Sequence, residues 1–154
     1  MKEVIEKLTS KNCTISTMES CTGGALVSEI TDIEGASEVL KYSAVTYSNE
    51  YKIKMGVSSV VIDKYSVYSK ETAIEMAQNI SKFANSDYGI GITGKLNRVD
   101  KFNSFGEDNK VFICIFDKNK DKNYILEITV KESSRHENKK VVIKSVVNKL
   151  LEII

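Results

Sequence analysis

The sequence contains no proline, no tryptophan and a single histidine, His136. One histidine and three cysteines, with no CxxC pair and no paired Cys/His spacing, exclude the common zinc-binding patterns, so we expect no metal site. The odd number of cysteines, at Cys13, Cys21 and Cys114, favours reduced thiols over a disulfide framework. We therefore expect a cytoplasmic protein.

Long apolar runs are also missing, because none approaches the roughly 20 residues that a membrane-spanning helix requires. The N-terminal segment MKEVIEKLTSKN alternates charged and apolar residues and lacks the continuous apolar core of a signal peptide. The 22 basic and 21 acidic residues leave a net charge of +1, which gives no overall attraction to nucleic acids or anionic membranes. We expect a soluble protein that binds neither.

Hydrophobic residues make up 42% of the 154 positions, enough for one domain, residues 1–154, to bury roughly two-thirds of its unfolded surface. Helical and strand patterns alternate along the chain. The predicted helices are an N-terminal one marked by Val4, Ile5 and Leu8, then TGGALVSEITD, EYKIKMG, SKETAIEMAQNISKFA and KKVVIKSVVNKLLEII; the predicted strands are CTISTM, VLKYSAVTYS, YGIGITG, VFICIF and YILEITV. This order predicts an α/β layered sandwich with a mixed sheet.

The longest central helix begins near Ser69, where apolar residues recur at helical spacing. The residues expected on one side of this helix are Ala73, Met76, Ala77, Ile80 and Phe83. After the strand YGIGITG, the segment GKLNRVDKFNSFGEDNK is too polar and irregular for a helix or a strand. It predicts a long loop, and such loops are often functional.

The segment STMESCTGGALVSEITD places Ser20 between a predicted strand and a predicted helix. A turn there exposes Ser20 at the carboxyl edge of the sheet, where open α/β sheets place their ligands. Gly23 and Gly24 allow close approach of a substrate, and the first N–H groups of the helix offer an oxyanion hole. The alternative is structural, since serine and threonine before a helix are ordinary caps.

A nucleophilic serine needs a base, and His136 lies far downstream in a charged helix start. Lysine acts as a base when burial lowers its pKa. Lys52 follows TYSNEY, a second strand end that runs into a helix start, so it lies beside Ser20 if the two strands are neighbours; otherwise it is a solvated surface residue. Cys21 is a rival nucleophile, although buried packing is the simpler interpretation for it and for Cys13 and Cys114.

Three segments together, MESCTGGALVSEITDIEGAS, VTYSNEYKIKMGV and YSKETAIEMA, resemble the CinA C-terminal family of nicotinamide-nucleotide amidases, also called NMN deamidases. The family pattern AESCTGG, TDxxGAS, YSNxxK and a serine-bearing helix start is matched in order from about Ile15 to Ile92. The resemblance implies a three-layer α/β/α sandwich with a mixed, mostly parallel sheet. It also implies hydrolysis of the carboxamide of nicotinamide mononucleotide to nicotinate mononucleotide and ammonia, without a cofactor.

By the same resemblance Ser20 is the nucleophile, Lys52 the base and Tyr47 an active-site hydroxyl. The other residues that it implies for substrate binding are Cys21, Thr22, Gly23, Gly24, Asn49, Thr93, Gly94, Arg135 and Lys139. It also implies a small-molecule nucleotide as the partner and self-association into a homo-oligomer. Taken one at a time, each of these residues has an equally good structural interpretation. Tyr47 would cover the end of a strand, Asn49 would cap a helix and Arg135 would be an ordinary surface residue.

Two segments depart from the family pattern. The family loop GIAGPxGG is replaced by GITGKLNRVDKFNSFGEDNK, and the GDRxxxR element reads SSRHENK, with Lys139 in place of the second arginine. Arginine meets a phosphate with two hydrogen bonds, whereas lysine offers a point charge. These departures leave two alternatives open: a nucleotide-binding or interaction module without turnover, and a Ser/Lys amidase for another amide.

Overall fold

Seven α-helices and five β-strands form the fold in the computed structural model, which describes residues 1–154. In chain order they are α1 (Lys2–Ser10), β1 (Ile15–Glu19), α2 (Ala25–Thr31), α3 (Ala36–Val39), β2 (Leu40–Val45), α4 (Asn49–Lys54), α5 (Ser59–Tyr65), α6 (Lys70–Ala84), β3 (Tyr88–Gly94), β4 (Lys110–Asp117), β5 (Lys122–Thr129) and α7 (Arg135–Ile153). No helix has the length and apolar character needed to cross a membrane.

The strands form one sheet in the order β2-β1-β3-β4-β5. β1 pairs in parallel with both β2 and β3, whereas β4 pairs antiparallel with β3 and with β5. The expected mixed sheet is confirmed: four of the five strands run in one direction, while the pairings divide evenly between parallel and antiparallel. Because β1, β2 and β3 share a direction, their carboxyl ends meet at one edge, and this edge carries the site.

Helices cover both faces of the sheet, which confirms the α/β/α sandwich. The larger core cluster, of 22 buried residues, joins α1, α2, α3 and α7 to one face. A second cluster joins α5 and α6 to the other face. Successive strand residues point to opposite faces, so Ile15 of β1 lies in the first cluster and Met18 in the second.

Two glycines of β3 bring α6 close to the sheet. A Cβ on Gly89 would lie 2.0 Å from the carbonyl oxygen of Ala77, and one on Gly91 would lie 2.3 Å from that of Ala73. Any larger residue would therefore push the helix away. Close packing of α6 fixes the turn before it, residues 66–69, beside the end of β3.

Most predicted elements are present, and the differences have local causes. Ser69 caps α6 by accepting a hydrogen bond from Thr72 N–H at 3.1 Å, as predicted. The prediction for Phe83 is wrong: its side chain is 64% exposed and its ring packs on Tyr42, 5.1 Å between centroids. Phe83 lies near the end of α6 and packs on Tyr42 of β2, which is itself 41% exposed, so the contact leaves the ring open to solvent. The short helices α3 and α5 were not predicted.

Candidate active site

Ser20 lies immediately after β1, at the edge where β1, β2 and β3 end. Its N–H donates to the carbonyl of Ile92 at the end of β3, and Thr46 N–H donates to the carbonyl of Glu19, both at 2.9 Å. These two bonds extend the parallel ladders just past the strands. Ser20 is thereby fixed at the carboxyl edge, as predicted, with a buried but reachable hydroxyl.

Lys52 comes from α4, which begins where Ser48 accepts a hydrogen bond from Tyr51 N–H at 3.3 Å. Its Nζ lies 3.0 Å from Ser20 Oγ and donates to the carbonyl of Thr46 at 2.8 Å. The Lys52 side chain is only 1% exposed and no carboxylate pairs with it. Burial therefore lowers the pKa of Lys52 to about 8. The two strand ends converge, and the pair has hydrogen-bonding geometry.

The side chain of Glu19, the last residue of β1, occupies the start of α2. The expectation that the helix-start amides form an oxyanion hole is therefore wrong. Its buried carboxylate accepts hydrogen bonds from the N–H groups of Gly24, Leu26 and Val27 at 3.1, 3.1 and 2.9 Å. A carboxylate is favourable at the positive end of a helix. The helix-start amides are consequently unavailable to a substrate anion, contrary to the expectation from sequence.

The turn between Ser20 and α2 supplies other donors. The N–H groups of Cys21 and Thr22 donate no hydrogen bond to the protein, whereas that of Gly23 donates to the carbonyl of Ser20 at 3.0 Å. The amide that follows a nucleophile is a common oxyanion donor. Burial raises the pKa of the Cys21 thiol to about 12, which argues against Cys21 as the nucleophile.

A cavity of 730 Å³ opens in front of the Ser20 and Lys52 pair. Among the residues expected at the site, the cavity is lined by Ser20, Cys21, Tyr47, Asn49, Lys52, Gly94 and Arg135. The structure does not bring Thr22, Gly23, Gly24, Thr93 and Lys139 to its wall.

Each of those five residues has another local environment. Thr22 is fully buried, and Thr93 Oγ1 donates to the carbonyl of Val67 at 2.8 Å. The Gly24 N–H is held by Glu19. Lys139 Nζ lies 3.4 Å from where a Cβ on Gly23 would stand, so these two residues contact each other outside the cavity lining.

Residues 95–109, the roof loop, cross over the cavity as the irregular segment that the sequence predicts. Lys95 Nζ and Asp108 Oδ1, 3.0 Å apart, join its two ends. In its middle, Asp100 accepts from the Tyr68 hydroxyl and from Asn103 Nδ2. The Tyr68 hydroxyl lowers the pKa of Asp100 to about 2.

The roof loop also bonds to the helix that carries the base. Asn49 Nδ2 donates to Asn103 Oδ1 at 3.2 Å, which ties the loop to the first residue of α4. Sequence reasoning missed Glu19, Tyr68, Asp100 and Asn103. Only Glu19 had a local signal, an acidic residue shortly before a helix start. No group of three or more His, Cys, Asp or Glu side chains is placed to hold a metal ion.

The family model for the CinA C-terminal domain matches residues 1–154. A CinA-like protein from Kosmotoga olearia is 45% identical over 96 residues, which cover 61% of this chain and 23% of that protein. A relative from Thermoanaerobacter pseudethanolicus, whose name refers to a competence-damage inducible protein, is 49% identical over 96 residues with the same coverage. The matched region thus spans about a quarter of the length of these curated relatives.

Solved structures share the fold. The competence/damage inducible protein CihA from Agrobacterium tumefaciens has a TM-score of 0.87 at 24% identity, covering 97% of this chain and 90% of that chain. A CinA superfamily protein from Escherichia coli has a TM-score of 0.86 at 24% identity, covering 99% of this chain and 87% of that chain. At this identity the likeness establishes the architecture alone.

Proposed function

The chain belongs to the CinA C-terminal domain family, and from the geometry of its site we propose that it hydrolyses the carboxamide of nicotinamide mononucleotide to nicotinate mononucleotide and ammonia. The observation that carries this proposal is the 3.0 Å separation of Ser20 Oγ and Lys52 Nζ at the wall of a cavity. A buried lysine beside a serine is an activated nucleophile pair. The proposed reaction needs no metal.

The first half of the reaction forms an acyl-enzyme. Neutral Lys52 accepts the proton of the Ser20 hydroxyl as Oγ attacks the amide carbon. Lys52 keeps its orientation because its own N–H still donates to the carbonyl of Thr46. The protonated Lys52 then gives that proton to the departing nitrogen, the C–N bond breaks, and ammonia leaves. An ester between Ser20 and the pyridine carboxyl group remains.

The second half consumes water. Lys52 takes a proton from the water that attacks the ester, and returns it to Ser20 Oγ as the carboxylic acid is released. In both halves the carbonyl oxygen becomes an anion. The unpartnered N–H of Cys21, a residue that lines the cavity, would stabilise this anion. Glu19 supports the arrangement because it accepts from the amides of Gly24, Leu26 and Val27, which fixes the start of α2 behind Cys21.

The phosphate of the substrate is proposed to bind Arg135, which lines the same cavity. Arg135 is the first residue of α7 and has no carboxylate partner. A cation is unfavourable at the positive end of a helix, so its placement there favours an anion-binding role over a stabilising one. Tyr47 and Asn49, at the start of α4, also line the cavity, where they would contact the pyridine ring or the ribose.

The alternative of a binding module without turnover rests on the altered roof loop. A loop that filled the site would favour that alternative. Here the loop spans the site and leaves 730 Å³ beneath it, within the roughly 300–1,000 Å³ of small-molecule pockets. The open space admits a ligand, and the contact of Lys52 Nζ with Ser20 Oγ, which binding alone does not require, favours an enzyme.

The test is release of ammonia from nicotinamide mononucleotide by the purified protein. Ser20→Ala should lower the rate by at least about a thousandfold, because the nucleophile is lost. Ser28→Ala, on the exposed side of α2, is the matched control and should keep the normal rate. Ammonia release that persists in Ser20→Ala would reject the proposed mechanism, and its absence from the unmodified protein would reject the substrate.

A further inference from the structure

We propose that the roof loop provides a second phosphate and base subsite, so that the preferred substrate is a dinucleotide in which nicotinamide mononucleotide is joined to a second nucleotide through a pyrophosphate. This inference rests on the proposed amidase function and specifies its substrate class. Arg98, Lys101 and Phe102 of the roof loop would hold the second half of the dinucleotide. None of the three belongs to the segments that match the family pattern.

The first observation is that Arg98 and Lys101 line the cavity without an anionic partner. Other lysines of the region are paired: Lys95 with Asp108 at 3.0 Å and Lys110 with Glu127 at 2.8 Å. The acidic residue closest in sequence, Asp100, already accepts from the Tyr68 hydroxyl, from Asn103 Nδ2 and from Phe102 N–H. These two cations are therefore available to an anion from outside.

The second observation is that Arg98 and Arg135 line the same cavity. Asn97 Nδ2 donates to the carbonyl of Glu132 at 3.4 Å, which holds the start of the roof loop against the segment that leads into α7. Two guanidinium groups without a carboxylate partner therefore line one cavity. Like charges are unfavourable together unless an anion lies between them, and a pyrophosphate offers one phosphate to each.

The third observation is an exposed aromatic ring at the mouth of the cavity. Phe102 lines the cavity although its side chain is 96% exposed. The face of its ring is therefore free to meet a ligand. Aromatic rings stack on nucleobases with little regard to base identity. Because Asn103 bonds to Asn49 of α4, Phe102 is held over the mouth, where the second base would lie.

The test is calorimetric binding to the inactive Ser20→Ala protein, with nicotinamide mononucleotide, oxidised nicotinamide adenine dinucleotide and AMP as probes. The dinucleotide should bind at least about tenfold more tightly than the mononucleotide, since a charge-assisted pair contributes about 1.5 kcal/mol or more. Adding Arg98→Ala or Lys101→Ala should remove about tenfold of the dinucleotide affinity and leave mononucleotide affinity within about twofold. Phe102→Ala should also weaken dinucleotide binding.

Two matched controls accompany these variants. Phe105→Ala removes an aromatic ring of the same loop that is 73% exposed and does not line the cavity, and Lys144→Ala removes an exposed cation of α7. Both should leave all affinities unchanged. Equal affinity for the two pyridine nucleotides, or equal weakening of both by Arg98→Ala, overturns the proposal. Binding of AMP that does not compete with the dinucleotide also overturns it, because it would reveal a nucleotide site outside the proposed second subsite.

The binding assay and the turnover assay separate the two proposals. Suppose that the unmodified protein hydrolyses neither the mononucleotide nor the dinucleotide, while Ser20→Ala binds the dinucleotide and Arg98→Ala weakens that binding. This result would support the second subsite and reject the amidase function. If the mononucleotide is hydrolysed with a kcat/KM equal to or above that of the dinucleotide, the result supports the amidase function and rejects the dinucleotide as the preferred substrate.

Discussion

Lys52 Nζ lies 3.0 Å from Ser20 Oγ, across 32 positions of sequence. The contact exists because β1 and β2 are parallel neighbours, so that the turns after both strands open at the same edge. A lysine that is 1% exposed and paired with no carboxylate has no stabilising role that would explain its burial. The proposed role as the base for Ser20 would account for its position.

The rate should depend on pH through the protonation of Lys52. Burial lowers the pKa of Lys52 to about 8, and only the neutral amine accepts a proton from Ser20. The value of kcat/KM should therefore fall about tenfold per pH unit below pH 8 and level off above it. Measurements between pH 6.5 and 9.5 check this, and a profile that is flat across pH 8 would contradict the role of Lys52.

The fold should gain stability with pH through the same residue. Lys52 is protonated in both states below pH 8, where the folded state bears the cost of burying the charge. Between pH 8 and the unfolded value of 10.5, the folded state loses this proton first, so its stability rises by up to about 3 kcal/mol.

Comparison with Lys52→Met isolates this effect, because the other titrating groups are common to both proteins. Urea unfolding at several pH values should show the unmodified protein gaining stability relative to Lys52→Met from pH 8 to 10.5. Parallel stability curves for the two proteins would show that Lys52 is not buried as a charge.

Glu19 should be needed for the stability of the turn between β1 and α2, residues 20–24. Glu19→Ala removes the acceptor of three N–H groups at the start of α2, and we expect a loss of about 2–4 kcal/mol in the free energy of unfolding. Glu19→Gln keeps one acceptor oxygen, so its free energy of unfolding should lie between those of the unmodified protein and Glu19→Ala. Glu29→Gln, on the exposed side of α2, is the control and should change the stability by less than about 0.5 kcal/mol.

Close packing of α6 on β3 should make Gly89 intolerant of a side chain. In Gly89→Ala the new Cβ would lie 2.0 Å from the carbonyl oxygen of Ala77, so we expect a loss of about 3 kcal/mol or more. Gly35→Ala is the comparison, because no atom lies within 4 Å of its Cβ position and only a φ of +86° opposes it. Its cost should be about 1 kcal/mol. Equal costs for the two variants would show that α6 can move away from the sheet.

Much of the fold could be predicted because its elements carry regular apolar patterns. The buried residues Ala73, Met76, Ala77 and Ile80 follow helical spacing, and all four are fully buried. The helix α3, with four residues, is too short to show such a period. Strand order was not predictable either, since pairing of β1 with both β2 and β3 depends on contacts distant in sequence.

The pairing of Ser20 with Lys52 could be predicted from the sequence, whereas the residues around this pair could not. Ser20 and Lys52 each follow a recognisable strand end, and family resemblance named both. The expected oxyanion donors were wrong because the Glu19 carboxylate accepts hydrogen bonds from the amides at the start of α2. Residue spacing in the sequence does not reveal this contact. The roof loop has no periodic pattern, so the bonds of Asp100 and Asn103 could be found only in three dimensions.

Trapping the acyl-enzyme tests the central claim most directly. Nicotinamide mononucleotide would be mixed with the protein, quenched in acid within milliseconds to seconds, and the peptide that carries Ser20 analysed by mass spectrometry. We expect the nicotinoyl ribotide ester on Ser20, no adduct in Ser20→Ala, and much slower adduct formation in Lys52→Met. An adduct on Cys21, or adduct formation as fast in Lys52→Met as in the unmodified protein, would contradict the account.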